Sequence, residues 1–298
     1  MMYAIDEIIW AAQLASIVEV CSKKPGNVHI NRSFHDTNPF DFFAGAVALG
    51  SAFQELDRLS VGEIVLESIK ARAKLTSANV NLGIILLLAP LSKAALYCDN
   101  DSNAEAIRNS LRGVLGSLSE SDAVKTYEAI RMSGAGGMGR VDLYDVNEMP
   151  QGINLREAMA EASDRDSIAR EYVTDFSITF ELSLPSFADA LKRGLRLRDA
   201  AVQAFLTILS KVPDTLIFRK LGWEEAVEIS GKAFEVLERG GVMTERGRKS
   251  IHNFDNFLRK KGNKRNPGTT ADLVVSGIFL YFLDAIHRGL IRDLVTRW

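Results

Sequence analysis

Between Leu82 and Leu91 the chain runs for ten residues, LGIILLLAPL, without a charged or polar side chain. A helix made from such a run is apolar on every face, so other elements have to surround it. The run stops at Ser92 and Lys93, about half the roughly 20 residues a membrane span needs, and it reads as the central helix of a packed globule. Before it stand Thr76, Ser77, Asn79 and Asn81, short polar residues of the kind that cap helices, and Asn81 is placed to accept the first free N–H groups. A buried helix whose N-terminus opens onto a polar loop can hold an anion such as phosphate, although capping alone explains the same residues.

Most other segments repeat at helical spacing. Ile5, Ile8, Ile9, Ala12, Leu14, Ile17 and Val18 predict a buried first helix over 4–21. Asn38 followed by Pro39 and Asp41 writes the start of a helix reaching about Leu56, and Ser60 with Glu63, Ser102 with Glu105 and Ser119 with Asp122 read as capping boxes. Three or four helices are expected over 155–212, divided near Pro185 and Gly194, and then VPDTLIFRKLG reads as a loop. Helices at 223–237 and 244–261 precede a second apolar helix over 270–290, in which Ser276 and Gly277 permit close packing. No stretch alternates long enough for a sheet, so the expected fold is all-α: one domain over 1–298, a bundle of about a dozen helices with buried apolar helices near 81–96 and 270–290.

Composition narrows the partners. Of the 298 residues 47% are hydrophobic and 25% charged, and 36 bases against 38 acids leave a net charge of -2, so no global field favours nucleic acid or a membrane surface. Cys21 and Cys98 are too few for a disulfide framework or a thiolate metal site. With an N-terminal stretch MMYAIDEIIW that carries acids where an export signal carries bases, the expected location is cytoplasmic.

Chemistry is expected in the polar connections. The first, Lys23 to Asp36, supplies Lys24, Gly26 and the neighbours His35 and Asp36, which suit a carboxylate-held general base or a pair of metal ligands. A glycine loop with Gly134, Gly136, Gly137 and Gly139, followed by Arg140, Asp142 and Asp145, reads as an amide cradle or a hinge. Asp214 and Thr215 suit Mg²⁺, and Arg219 and Lys220 suit phosphate oxygens. The basic run Arg259 to Arg265 reads first as a solvated face and leads into Asn266, Gly268, Thr269 and Asp272; Thr269 with Asp272 reads as a capping box, or Asp272 faces a metal. Together these residues suggest handling of a phosphorylated ligand.

In order along the chain, EVCSKKPGNVHINRSFHD, DFFAGAVALG, TSANVNLG, GAGGMGRVDLYDV, PDTLIFRKLG and NPGTTADL resemble the triphosphoribosyl-dephospho-CoA synthase family, in a divergent, archaeal-type branch. The resemblance spans nearly the whole chain, with gaps mainly between about 150 and 205. It implies transfer of the triphosphoribosyl group of ATP to a ribose hydroxyl of 3'-dephospho-CoA, with release of adenine. Asn79 and Gly83 match the ends of the family's N-T-H-K-G signature, with Asn81 and Leu82 where its His and Lys stand; Asp214 and Thr215 match its D-T-N, with Leu216 in place of the Asn. The resemblance assigns catalysis to Asp36 or Asp214 with His35. It assigns Mg²⁺ to Asp214 with Asp142 or Asp272, and the phosphates to Lys24, Arg140, Arg219 and Lys220. Gly26, Asn79, Asn81, Gly83, Gly136, Gly137, Thr215, Asn266, Gly268 and Thr269 join the substrate site. A homodimer is a further expectation. A ribosyltransferase with another donor, a Mg²⁺-dependent N-glycoside hydrolase and a non-catalytic nucleotide- or CoA-binding protein are the alternatives.

Overall fold

The computed structural model describes residues 3–98, 103–134 and 150–298, and helices are the only extended elements among them. In chain order these are α1 (Ile5–Cys21), α2 (Pro39–Phe53), α3 (Val61–Ala73), α4 (Leu82–Leu96), α5 (Ala104–Gly116), α6 (Glu120–Ser133), α7 (Leu155–Ala162) and α8 (Ser167–Val173). A π turn (Thr179–Ser183) leads into α9 (Leu184–Lys192) and α10 (Leu197–Lys211), followed by α11 (Thr215–Leu221), α12 (Trp223–Glu238), α13 (Glu245–Arg259), α14 (Gly268–His287) and α15 (Ile291–Val295). The written starts are used: Asn38 accepts from the Phe40 N–H while Asp41 accepts from the Asn38 N–H, and Ser60 with Glu63 and Ser119 with Asp122 close reciprocal boxes.

The two apolar helices sit where their sequences require. α4 packs against α1, α3, α5, α8 and α14, and α14 against α1, α4, α9 and α10, within one hydrophobic core running from Tyr3 to Leu294. α14 has the length and hydropathy of a membrane span, but most of it is buried against these neighbours. Pro90 lies inside α4 and has no N–H for the carbonyl of Leu86; the buried Tyr172 hydroxyl of α8 donates to that carbonyl at 2.6 Å.

Several starts differ from expectation. VPDTLIFRKLG contains α11, because Asp214 caps it by accepting from the Leu216 and Ile217 N–H groups. Asn103 caps α5, and Ser102 lies outside the described residues. Asn81 is left-handed, with φ at 62°, and makes no capping bond; its amide lies where a Cβ on Gly45 of α2 would be. Thr269 and Asp272 form no capping box, since α14 starts one residue after Pro267 and both lie within it. The helices over 155–211 divide at Gly194 as expected and also at Asp175 and Phe176, whose φ values are 50° and 57°, and Pro185 sits in the first turn of α9.

That left-handed turn is held by several side chains: Arg108 donates to the Asp175 carbonyl, and Arg112 and Arg156 pair with the Asp175 carboxylate. Glu171 of α8 is fully buried and accepts from the Ile178 N–H at 2.8 Å and from the Thr179 N–H and hydroxyl. Thr179 also meets the Ser276 hydroxyl of α14 at 2.7 Å, and Ser183 donates to the Leu273 carbonyl. Gly277 is what lets this turn approach α14, because a Cβ there would lie 2.3 Å from Ser183 Oγ.

Two stability measurements follow. Gly277→Ala should cost about 1–3 kcal/mol by overpacking, whereas Gly113→Ala in α5, where a Cβ meets nothing within 4 Å, should stabilise by up to about 1 kcal/mol; equal urea midpoints would contradict the packing. Burial pushes the Glu171 carboxyl up to about 7, against its hydrogen bonds to Thr179 and Ile178. Since the folded state then binds the proton more tightly, stability should fall between about pH 4.5 and 7, by on the order of 3 kcal/mol. Glu171→Gln should flatten that slope in urea titrations.

Candidate active site

Polar connections and a wall from α6, α7 and α8 enclose a cavity of about 630 Å³, within the range usual for small-molecule sites. The loop before α4 is fixed from two sides: the buried Arg72 donates to the carbonyls of Ala78 and Val80, and the Thr76 hydroxyl donates to Asp41 at 2.6 Å. This aims the uncapped N-terminus of α4 at the cavity. The N-terminus of α14 opens there too, with its Thr270 N–H taken by the Asp214 carboxylate and its Gly268 N–H by the Asn266 carbonyl. A helix start such as that of α4 supplies free N–H groups and the positive end of a dipole.

Gly83 and Asp272 meet where those starts converge. A Cβ on Gly83 would lie 2.1 Å from Asp272 Oδ2 and 2.6 Å from Ile168 Cδ1, so only glycine lets α4 come this close. Burial pushes the Asp272 carboxyl well above the usual carboxylate range; the charges of Glu19, Asp214 and Asp166 push the same way, against Arg219.

The cations stand on α11 and beside α8. Lys220 is half-buried, lines the cavity and has no carboxylate within ion-pair distance among the described residues. Burial pulls its ammonium below the usual range, opposed by Asp214 and Asp36. Arg219 pairs with Asp166 through one end of its guanidinium, while its Nε is buried without a partner. Arg165 also lines the cavity. Leu86, Ile130, Met159, Ile168 and Leu216 supply apolar parts of the wall.

Of the residues singled out in the sequence, Asp36, Asn79, Asn81, Gly83, Arg219, Lys220, Asn266, Gly268, Thr269 and Asp272 line this one cavity. The structure places others elsewhere. Lys24 is fully buried, paired with Glu19 at 2.8 Å, so it braces the cavity wall and cannot reach a phosphate. Gly26 is packed against Leu258 and Pro267, and its N–H donates to Asp255. His35 is exposed and outside the cavity lining. Asp214 does not line the cavity, and both its oxygens are taken: one by the Leu216 and Ile217 N–H groups, the other by the N–H and hydroxyl of Thr270, each at 2.8 Å. It ties α11 to α14 and has no lone pair left for a metal or a substrate proton. Thr215 is buried beside it, accepting from the Ser167 N–H. Gly136, Gly137, Arg140 and Asp142 lie outside the described residues.

The basic run is a solvated face at Lys260 and Lys264 and structural at its other bases. Arg259 pairs with Asp255, Lys261 and Arg265 pair with Glu225, and Arg265 stacks on Phe257. Sequence reasoning missed Asn27, Arg165, Asp166 and Asn263, all on the cavity lining. Asp166 before Ser167 was legible as a helix cap, a role it fills by accepting from the Ile168 and Ala169 N–H groups. Nothing in the sequence places it opposite Arg219.

Comparison with known proteins adds the family. The family model described as ATP:dephospho-CoA triphosphoribosyl transferase matches residues 5–289. A Pseudomonas fluorescens Pf-5 protein described as a 2-(5''-triphosphoribosyl)-3'-dephosphocoenzyme-A synthase is 28% identical over 117 residues, 38% of this chain and 40% of that one. Matches to several such relatives thus span under half of their length, whereas one from Pseudomonas fluorescens Pf0-1 is 22% identical across 96% of this chain and 90% of its own. A crystal structure from Archaeoglobus fulgidus, described as a triphosphoribosyl-dephospho-CoA synthase, superposes with a TM-score of 0.60 at 31% identity, covering 80% of this chain and 96% of its own. The chain belongs to the ATP:dephospho-CoA triphosphoribosyl transferase family.

Proposed function

We propose that this chain transfers the triphosphoribosyl group of ATP to a ribose hydroxyl of 3'-dephospho-CoA and releases adenine. The observation that carries this reading is the single cavity onto which segments matching the family open, far apart in sequence and joined by charge: Lys220 and Arg219 with unspent donors, the uncapped start of α4, and carboxyls opposite them. Lys220, Arg219 and Arg165 hold the triphosphate, whose oxygens accept the N–H groups that Arg219 Nε and the start of α4 leave free. The amides of Asn79, Asn263 and Asn266 suit ribose hydroxyls.

Magnesium enters as part of the substrate. Among the described residues no three His, Cys, Asp or Glu side chains come close enough to form a metal cage. With Asp214 spent, Asp272 standing alone and Asp142 outside the described residues, no resident metal ligands are assigned. Mg²⁺ needs few protein ligands when phosphates supply the rest, so MgATP is the expected donor.

Displacement at C1 of the ribose passes through an oxocarbenium-like state that nearby carboxylates favour. Asp36, exposed on the cavity lining and hydrogen-bonded by the Thr37 hydroxyl at 3.3 Å, accepts the proton of the incoming hydroxyl.

Purified protein with MgATP and dephospho-CoA should release adenine and the triphosphoribosyl ether in equal amounts, resolved by liquid chromatography. No adenine, or turnover only with phosphoribosyl pyrophosphate, would overturn the reading. Lys220→Met should raise KM for ATP roughly 10- to 100-fold, the worth of a charge-assisted hydrogen bond, with the melting temperature nearly unchanged.

A further inference from the structure

The loop before α4 carries donors that the protein itself leaves unused. Among the described residues the N–H groups of Asn79, Asn81, Leu82 and Gly83 have no hydrogen-bond acceptor, and all four residues line the cavity. The Asn81 amide, which could have turned back to cap them, is buried with both polar atoms unpartnered. Asn81 is left-handed, at φ 62° and ψ 8°, and Leu82 begins the right-handed turn of α4. Adjacent residues of opposite hand bring successive N–H groups to one side of the chain, where they make a concavity for an anion.

Arg72 of α3 decides which way this loop faces. It is 3% exposed and lies outside the cavity lining, so it reaches the loop from behind. Its Nη1 donates to the Ala78 carbonyl at 2.9 Å and to the Val80 carbonyl at 3.3 Å. The peptides here are trans, and in a trans peptide the carbonyl and the following N–H point to opposite sides. Holding the carbonyls of 78 and 80 therefore turns the N–H groups of Asn79 and Asn81 away from Arg72. The Thr76 hydroxyl ties the same loop to Asp41, but two residues before Ala78, and it fixes neither carbonyl. The Arg72 guanidinium has no carboxylate within ion-pair distance among the described residues, and its Nε is buried without a partner. A buried charge left unpaired is costly, and an anion held on the opposite face of the loop supplies the missing counter-charge.

We propose that Arg72 is a positioning residue for the triphosphate: it holds the loop so that its N–H groups are presented to the phosphate oxygens, and the bound phosphates balance its charge. The identity of the ligand rests on the triphosphoribosyl-transfer reading. Arg72 itself touches no substrate atom and acts through the peptides of residues 78 to 81.

Inorganic triphosphate is the probe, because calorimetry reads its binding without turnover. Arg72→Met should raise its Kd roughly 10- to 100-fold, the worth of hydrogen bonds from a charged donor. KM for ATP should rise in step, while kcat and KM for dephospho-CoA stay within about threefold of wild type. If Arg72→Met fails to fold, Arg72→Lys takes its place; shorter and with a single nitrogen, it should raise the same Kd about three- to tenfold. In wild-type protein, amide hydrogen exchange over residues 77–84 should slow at least about tenfold when triphosphate is added. A folded variant that binds triphosphate as tightly as wild type overturns the role of Arg72, and so does a loss spread equally over ATP, dephospho-CoA and kcat, or wild-type exchange that triphosphate leaves unchanged. Triphosphate bound as expected by a protein that releases no adenine from MgATP overturns the proposed activity alone. Wild-type protein that binds no triphosphate overturns both.

Discussion

The close contact between the first turns of α4 and α14 is the constraint on which the site depends. Gly83 admits the Asp272 carboxyl to a space that a methyl group would fill, and that brings the starts of α4 and α14 to one cavity. Helix ends are ordinarily satisfied by side chains or water. At α14 the Asp214 carboxylate accepts the Thr270 N–H, whereas at α4 Asn81 lies against Gly45 and makes no capping bond. The unsatisfied donors are left for an anionic ligand.

Around that contact the fold is tied by polar groups inside the core. Tyr172 fills the carbonyl that Pro90 leaves open in α4, Glu171 holds the left-handed turn after α8, and Ser183 and Thr179 fasten the π turn to α14. The α8 wall, with Asp166 at its start, is therefore fixed to both apolar helices. Lys24 performs the same service on the other side by neutralising Glu19 within the wall. Tyr172, Glu171, Thr179, Ser183 and Lys24 are tolerated in the core because a partner stands opposite each.

Much of the fold was legible because local chemistry decided it. The run Leu82–Leu91 had to be central, and Asn38-Pro39, Ser60-Glu63 and Ser119-Asp122 wrote their helices outright. Two kinds of feature were not. Short helices such as α11 depend on a cap whose second oxygen is held from α14, a contact made across 56 positions. The left-handed pair Asp175-Phe176 is carried against its own preference by contacts from α5, where Arg108 donates to the Asp175 carbonyl across 67 positions. For the site, residue type and family pattern marked the connections that meet, but not which way each side chain turns. Lys24 and Asp214 have the chemistry of a phosphate ligand and a metal ligand and are spent on structure, whereas Asp272 is left facing the cavity.

The most direct measurement is a crystal structure of the protein with MgATP carrying a non-hydrolysable triphosphate. The account predicts the phosphates against Lys220, Arg219 and the start of α4, inside the cavity that Asp36 and Asp272 line. A nucleotide bound outside this cavity, for instance along the basic stretch from Arg259 to Arg265, would contradict it.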